Sequence, residues 1–436
     1  MWFDEAVVYQ IYPLGLCGAP EWNDGVEVPR IRNIGRWVQH IRALGADTLL
    51  LNPVFQSDKH GYDTRDYYTV DCRLGANADL AQVCRTFHQA GMRVMLDGVF
   101  NHVGRGFWAF QDVQEKKWDS AYKNWFYINF DGNTDYNDGF WYEGWEGHNE
   151  LVKLNLGEPA VVEHLFGAVR DWVERFDIDG LRLDVAYCLA PDFLQRLRSF
   201  TAGLKPEFVL MGETLHGDYN QWMNDGMCHS VTNYECYKGL YSSFNSMNMF
   251  EIGHSLARQF GPEQWTLYKG RHLLAFLDNH DVERIASILQ NKAHLAPAYG
   301  LLFGMPGVPA VYYGSEWGIE GKKTQGSDAA LRPALEAPQH NELTEWVGKL
   351  ATARKNSKAL CYGGYRNVLL TNHQIIFERS TPEQRVLVAV NASNEPFCAH
   401  FDAGAGRAVD LITGAAHDFG GGSMLPPYST HFWAVE

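Results

Sequence analysis

The chain has 436 residues, enough for roughly two to four domains or for one large barrel with attachments. Hydrophobic residues make up 46% and charged residues 20%, with no run near the ~18 apolar residues of a membrane span, so neither a membrane protein nor a disordered chain is expected. Lys and Arg number 37 against 52 Asp and Glu, a net charge of −15, which speaks against a nucleic-acid partner and leaves a neutral substrate unrepelled.

Taken in chain order, short apolar runs rich in β-branched residues alternate with stretches of helical period. Strands are predicted over 7–14, 48–52, 94–98, 180–184, 209–213, 230–232, 274–278 and 310–313, and helices over 34–44, 78–90, 160–176, 192–204 and 341–356. Eight strands alternating with helices imply a parallel (β/α)8 barrel, an α/β fold of the TIM type. The barrel is assigned to 1–102 and 155–356. An insertion at 103–154 has no clean period, and 357–436 shows short alternating runs at 367–371, 374–379, 385–391 and 429–435, which predict a C-terminal antiparallel β-sandwich.

The opening MWFDEAVVYQIYP carries acidic residues where a secretory leader carries basic ones, and no apolar core follows, so a cytoplasmic protein is expected. Eight cysteines are scattered without a CxxC pair, the pattern of reduced structural thiols rather than of a disulfide framework or a zinc site.

In a parallel barrel the loops converge only at the C-terminal face, so reactive side chains are sought where strands end. Four predicted strands end in polar residues: Asp97, Asn101 and His102 in VMLDGVFNHVG, Arg182 and Asp184 in IDGLRLDVA, Glu213 in VLMGETLHG, and Asp278, Asn279, His280 and Asp281 in AFLDNHDVER. One such carboxylate is explained as a cap on the next loop. Four strand ends of this kind point to chemistry.

Carboxylates gathered over one barrel mouth suit glycosidic bond cleavage, where a nucleophile and an acid flank the anomeric carbon and nearby negative charge favours a cation-like transition state. Asp184 and Glu213 lie 29 residues apart, one strand–helix unit. That separation suits the ~5 Å carboxyl spacing of a retaining mechanism. Arg182 shares the side of the strand that Asp184 occupies and is expected to keep it ionised, while burial and clustered charge should raise the pKa of Glu213.

DGVFNH (97–102), GLRLDVA (180–186), GETL (212–215) and FLDNHD (276–281) together resemble the four signature segments of the α-amylase family, glycoside hydrolase family thirteen, in the family's order. GYDTRDYYTVD (61–71) and PGVPAVYYGSEWG (306–318) add two matches, and the resemblance spans essentially the whole chain. It implies a domain B after strand three and a C-terminal domain C. By position it implies that Asp184 is the nucleophile, that Glu213 is the acid and then the base, and that Asp278 holds the sugar 2-OH and 3-OH. It further implies that His102 and His280 bond hydroxyls in subsite −1, that Arg182 orients Asp184, and that Tyr62 stacks beneath that sugar. Asp63 and Arg284 are carried over as further substrate-binding residues, and Asp97 as a structural carboxylate.

A metal reading of His102, His280 and Asp281 competes with this, but no HExxH or comparable spacing accompanies them. No cofactor is required for the chemistry. Asn101 stands where the family often supplies a calcium ligand, which implies a structural calcium, although no complete set of six or more oxygens is evident and NFDGNTDYND (129–138) lacks EF-hand spacing.

Where endo-acting relatives carry Lys-His after the nucleophile, this chain reads Val185, Ala186, Tyr187, Cys188, and Leu215 follows the acid where many relatives place an aromatic. The short insertion closing on VKLN (152–155) looks most like the cyclomaltodextrinase, neopullulanase and maltogenic amylase branch. The extra N-terminal β-domain common there is not expected, since the first strand begins by residue 7. The expected function is a retaining hydrolase of α-glucosidic bonds in maltooligosaccharides, cyclodextrins or related short α-1,4-glucans. A transglycosylase or sugar isomerase with the same acids and an inactive carbohydrate-binding homologue remain as alternatives, and no oligomeric state is assigned. Of 59 aromatic residues, 14 fall within 107–145. They are expected to fill a small irregular domain and, in part, to offer flat faces to sugar rings.

Overall fold

Eight short parallel strands form the centre of the protein: β1 (Val8–Ile11), β2 (Thr48–Leu51), β3 (Arg93–Gly98), β4 (Gly180–Leu183), β5 (Val209–Gly212), β6 (Ser230–Val231), β7 (Leu274–Phe276) and β8 (Val308–Tyr312). Their order is β6-β5-β4-β3-β2-β1-β8-β7. A parallel bridge between Thr232 and Leu274 closes the ring, with Asn233 N–H donating to Leu274 O at 2.9 Å. The computed structural model describes residues 1–436. The (β/α)8 barrel read from the sequence is the observed architecture.

Side chains alternate along a strand, so the barrel interior is sorted into layers. Val8, Leu50, Met95, Met211 and Phe276 belong to one apolar cluster. Two residues further along, Gln10, Asn52, Asp97 and Glu213 are also buried, and they are polar. An apolar plug is thus roofed by hydrogen-bonding groups, and the site stands on that roof.

The surrounding helices are α1 (Val38–Ala43), α2 (Asn77–Gln89), α3 (Pro159–Phe176), α4 (Pro191–Leu204), α5 (Tyr234–Asn245), α6 (Phe250–Phe260), α7 (Leu295–Gly304) and α8 (Glu342–Lys355). Proline opens α3 and α4, where a missing N–H costs nothing. In α3 the buried Val161, Val162, Leu165, Ala168, Val169, Trp172 and Phe176 form the stripe that faces the barrel. The helix expected over 34–44 is broken: Arg32–Gly35 and α1 are joined by tight turns in which Arg36 and Trp37 N–H donate to Asn33 and Ile34. The strand expected over 7–14 stops at Ile11 because Pro13 begins a helical turn, and the strand expected over 274–278 stops at Phe276.

After β3 the chain leaves the barrel. His102–Gly104 pairs antiparallel with His148–Lys153, which pairs with Gly144–Trp145, and a helix, Trp108–Lys116, packs beside them. Phe107, Phe110, Trp125, Phe126, Phe140 and Tyr142 are buried there, so six of the 14 aromatic residues serve as core, with Tyr122 and Phe130 partly buried against them.

The C-terminal region is an antiparallel sheet of β9 (Gly364–Leu370), β10 (Gln374–Ser380), β11 (Arg385–Asn391), β13 (Arg407–Asp410), β14 (Ala416–Asp418) and β16 (Thr430–Val435), ordered β9-β10-β11-β16-β13-β14. A ribbon of β12 (Phe397–Ala399) and β15 (Ser423–Leu425) shares its apolar cluster, with Ile376, Leu387 and Trp433 meeting Ala399 and Leu425. The result is a sandwich of unequal layers. It joins the barrel through α7, where a Cβ on Gly304 would meet Val388 Cγ1 at 2.6 Å, so only glycine allows this approach. No helix is long and apolar enough to cross a membrane.

Candidate active site

A cavity of 530 Å³ opens above the polar roof and is lined by Tyr62, His102, Asp184, Glu213 and Asp281, among others. Its size is that of a small-ligand site. Beneath it Arg182 is the central cation. Its Nη1 donates to both oxygens of Asp97 at 2.8 and 2.7 Å and reaches Asp184 Oδ1 at 3.3 Å, while Nη2 lies 2.9 Å from Glu213 Oε1. Arg182, expected to orient Asp184, does reach it, but its shorter bonds go to Asp97 and Glu213.

One guanidinium beside three buried carboxylates cannot balance them all. Burial, then the Glu213 charge, raises the Asp184 carboxyl well above the ordinary range, with Arg182 opposing. Burial likewise raises Glu213, with Arg182 again opposing. The physical consequence is a pair that retains a proton between its members where isolated carboxylates would be ionised. The backbone also ties the two together. Val185, which follows Asp184, has φ +40°, a left-handed conformation that a β-branched residue adopts only under constraint. That turn aims the Val185 N–H at Glu213 Oε2, 2.9 Å away.

The two histidines present opposite arrangements. Asn101 Nδ2 donates to His102 Nδ1 at 3.1 Å, which leaves the ring proton on Nε2. That Nε2 has no protein partner and lies 3.8 Å from Asp184 Oδ2. Burial lowers the His102 pKa to about 3, so the ring is a neutral donor at the cavity wall. His280 is fully engaged. Gln10 Nε2 donates to its Nδ1 at 3.0 Å, and its Nε2 lies 2.9 Å from Asp281 Oδ2 and 2.6 Å from the Tyr62 hydroxyl. Tyr62 donates to Asp97 Oδ2 at 2.9 Å, and its ring stacks on His280 with centroids 5.6 Å apart.

Four residues read from the sequence as site groups stand elsewhere. Asp278 does not line the cavity: because β7 ends at Phe276, its carboxylate caps the next loop, accepting from Ile285 N–H at 2.7 Å and from Ser315 Oγ at 2.9 and 2.8 Å. The carboxylate that lines the cavity is Asp281. Burial works against its charge, but His280 and Arg332, the latter 3.0 Å away, overcome this and hold it below the carboxylate range. Arg284 is fully buried and donates to Tyr313 O, Ser315 Oγ and Leu331 O at 2.7, 3.0 and 2.8 Å, so it clamps the segment after β8 rather than a sugar. Asp63 accepts from the His60 and Gly61 N–H groups, both at 3.1 Å, and braces their loop.

Asn101 is the fourth. Its amide faces His102, its carbonyl accepts from Leu154 N–H at 2.9 Å, and no group of three or more His, Cys, Asp or Glu side chains is disposed to hold a metal.

Other cavity residues carried no sequence signal. Lys323, Asp328 and Arg332 arrive from the segment after β8, and His148 and Glu150 from the excursion after β3. From the aromatic cluster at 107–145, Trp145 alone lines this cavity, its Nε1 lacking a protein partner. Tyr187 and Leu215, singled out as departures after the two acids, line it as well.

A family model described as the alpha amylase catalytic domain matches residues 30–358. The chain belongs to the α-amylase family. It is a glycoside hydrolase of that family, and its relatives agree. It is 29% identical over 475 residues to a cyclomaltodextrinase of Geobacillus thermopakistaniensis, covering all of this chain and 78% of the relative. It is 31% identical over 423 residues to neopullulanase 2 of Thermoactinomyces vulgaris, covering 90% of this chain and 70% of the relative. Among solved structures, the cyclic α-maltosyl-(1→6)-maltose hydrolase of Arthrobacter globiformis superimposes on this α-amylase-family chain with a TM-score of 0.82 at 26% identity, over all of both chains.

Proposed function

We propose that the protein hydrolyses α-glucosidic bonds of maltooligosaccharides, cyclodextrins or related short α-1,4-glucans, with retention at the anomeric carbon. The observation that carries this reading is the meeting of Asp184, Glu213 and Asp281 in one cavity with Tyr62 and His102. The activities for which two relatives are named, cyclomaltodextrinase and neopullulanase, support the substrate class.

In the first step Asp184 attacks the anomeric carbon while Glu213 gives its proton to the departing glycosidic oxygen, forming a glycosyl ester on Asp184. In the second, Glu213 takes a proton from water, which attacks the same carbon and releases Asp184. The shared proton of the acid pair fits this cycle, since one member must be ionised while the other is protonated. Asp281 takes the hydroxyl-binding role that the sequence had placed on Asp278, held as an anion by His280 and Arg332. His102 Nε2–H is free to donate to a sugar hydroxyl, and Tyr62 offers the ring face. Eight free thiols fit a reducing, cytoplasmic setting.

The test is chromatography of products from maltotriose, β-cyclodextrin, pullulan, starch, isomaltose and sucrose, with excess glucose as acceptor in a second series. Shorter glucans with retained configuration are expected. Dominance of longer or rearranged sugars would replace hydrolysis by transfer.

A further inference from the structure

Beside the catalytic cavity lies a larger one of 760 Å³, and His60 and Glu150 line both, so the two adjoin across these side chains. Its floor is rigid. Asp58 accepts from Arg65 Nε and from Gly106 N–H, the latter at 3.1 Å. A Cβ on Gly106 would stand 2.4 Å from Asp58 Oδ1 and 2.7 Å from Arg65 Nε, so the loop after β2 and the excursion after β3 are locked together at a glycine.

Its rim carries two large rings left in solvent, Trp22 at 63% and Tyr136 at 47% exposure. Each is steadied by a cation rather than by the core. Lys59 Nζ lies 5.1 Å from the Trp22 ring centre and is itself paired with Glu21 at 2.8 Å. The Arg105 guanidinium lies 3.7 Å from the Tyr136 ring centre and is held by both oxygens of Asp138 at 2.8 and 3.0 Å. Both rings stand on one cavity, so together they offer it two flat apolar faces. A pyranose matches this surface, with its C–H faces against the rings and its hydroxyls toward the carboxylates and guanidinia of the floor.

We propose that this groove is a distal sugar-binding site that takes the glucosyl units of an α-glucan extending out of the catalytic cavity past His60. The proposal rests on the α-glucan reading above and adds a chain-length preference to it.

The test is calorimetric titration of maltotriose and maltoheptaose into the full chain carrying Asp184→Asn, with and without Trp22→Ala or Tyr136→Ala. Each rim variant is expected to lose about tenfold in affinity for maltoheptaose and less than about twofold for maltotriose. In the catalytically intact chain the same variants should raise KM for maltoheptaose with kcat little changed. Equal losses for both sugars, no loss for either, or maltoheptaose binding no tighter than maltotriose overturns the groove. A chain that cleaves no α-glucan yet shows this length-dependent binding overturns the hydrolase reading and leaves the groove standing. Binding of neither sugar overturns both.

Discussion

Asp278 and Asp281 leave the same strand three residues apart, yet Asp278 is 2% exposed beneath Ser315 while the Asp281 side chain is 37% exposed at the cavity. Replacing each by asparagine separates structure from chemistry. Asp281→Asn should lower kcat/KM by about a hundredfold or more, as loss of a transition-state charge partner does, with the unfolding midpoint little moved. Asp278→Asn should instead cost about 1–3 kcal/mol of stability through its buried bonds, read by denaturant unfolding. A reversed pattern would return the hydroxyl-binding role to Asp278.

Asp184→Asn is expected to lose at least about a thousandfold in rate while sugar binding is retained, because the covalent step is removed and the pocket is not. Glu213→Gln should lose about a hundred- to ten-thousandfold on natural glucans and far less on glucosides whose leaving group needs no proton. Steady-state kinetics on both substrate types decide this. Unchanged turnover in Asp184→Asn would end the assignment of the nucleophile.

The raised Glu213 carboxyl makes a prediction about pH. A group whose folded pKa lies above its unfolded one stabilises the fold fully below the unfolded value, and that contribution is lost as pH rises through the folded value. Glu213→Gln should therefore raise the thermal midpoint near about pH 8, and the difference should fade toward about pH 4, where the native carboxyl is protonated. The same titration should lower kcat/KM on the alkaline side, since the general acid is then lost. A lower midpoint for the variant at the higher pH would contradict the direction of the shift.

Two arginines that sequence alone places together should behave differently. Arg182→Ala strands the buried Asp97 and should cost about 3–5 kcal/mol together with activity. Arg284→Ala removes its bonds to Tyr313, Ser315 and Leu331 after β8 and should cost at least about 3 kcal/mol, with turnover maintained at temperatures where the variant stays folded. Thermal unfolding beside kinetics at low temperature distinguishes the two.

The barrel was legible because its signals are local. Period-two patterns mark the barrel strands and helical patterns five of the surrounding helices, though not Tyr234–Asn245, Phe250–Phe260 or Leu295–Gly304, and the strand ends carry Arg182, Asp184 and Glu213 to the cavity. Asp278 falls outside the cavity because residue parity says nothing about where a strand stops. Leu274–Phe276 is only three residues long, so Asp278 sits at capping depth and the chain rises to the cavity at Asp281. Its neighbour His280, which holds it, was a usable signal. Arg332, Asp328 and Lys323 had none, since they fold back from a segment without period or motif. Trp145 could be expected only as one of 14, because burial rather than sequence separates it from the aromatic core.

The barrel has one thin stave. β6 contributes two residues, and the ring is closed there by the Thr232–Leu274 bridge with help from Ser230 Oγ, which donates to His272 O at 2.7 Å. This seam lies between the strand that ends at Glu213 and the strand that leads to Asp281. Few bonds need to open for it to part, so thermal breathing is expected to begin at this joint between Glu213 and Asp281. Amide exchange at 230–233 should be the fastest among the barrel strands, and a sugar spanning Glu213 and Asp281 should slow it, acting as a clasp across the gap.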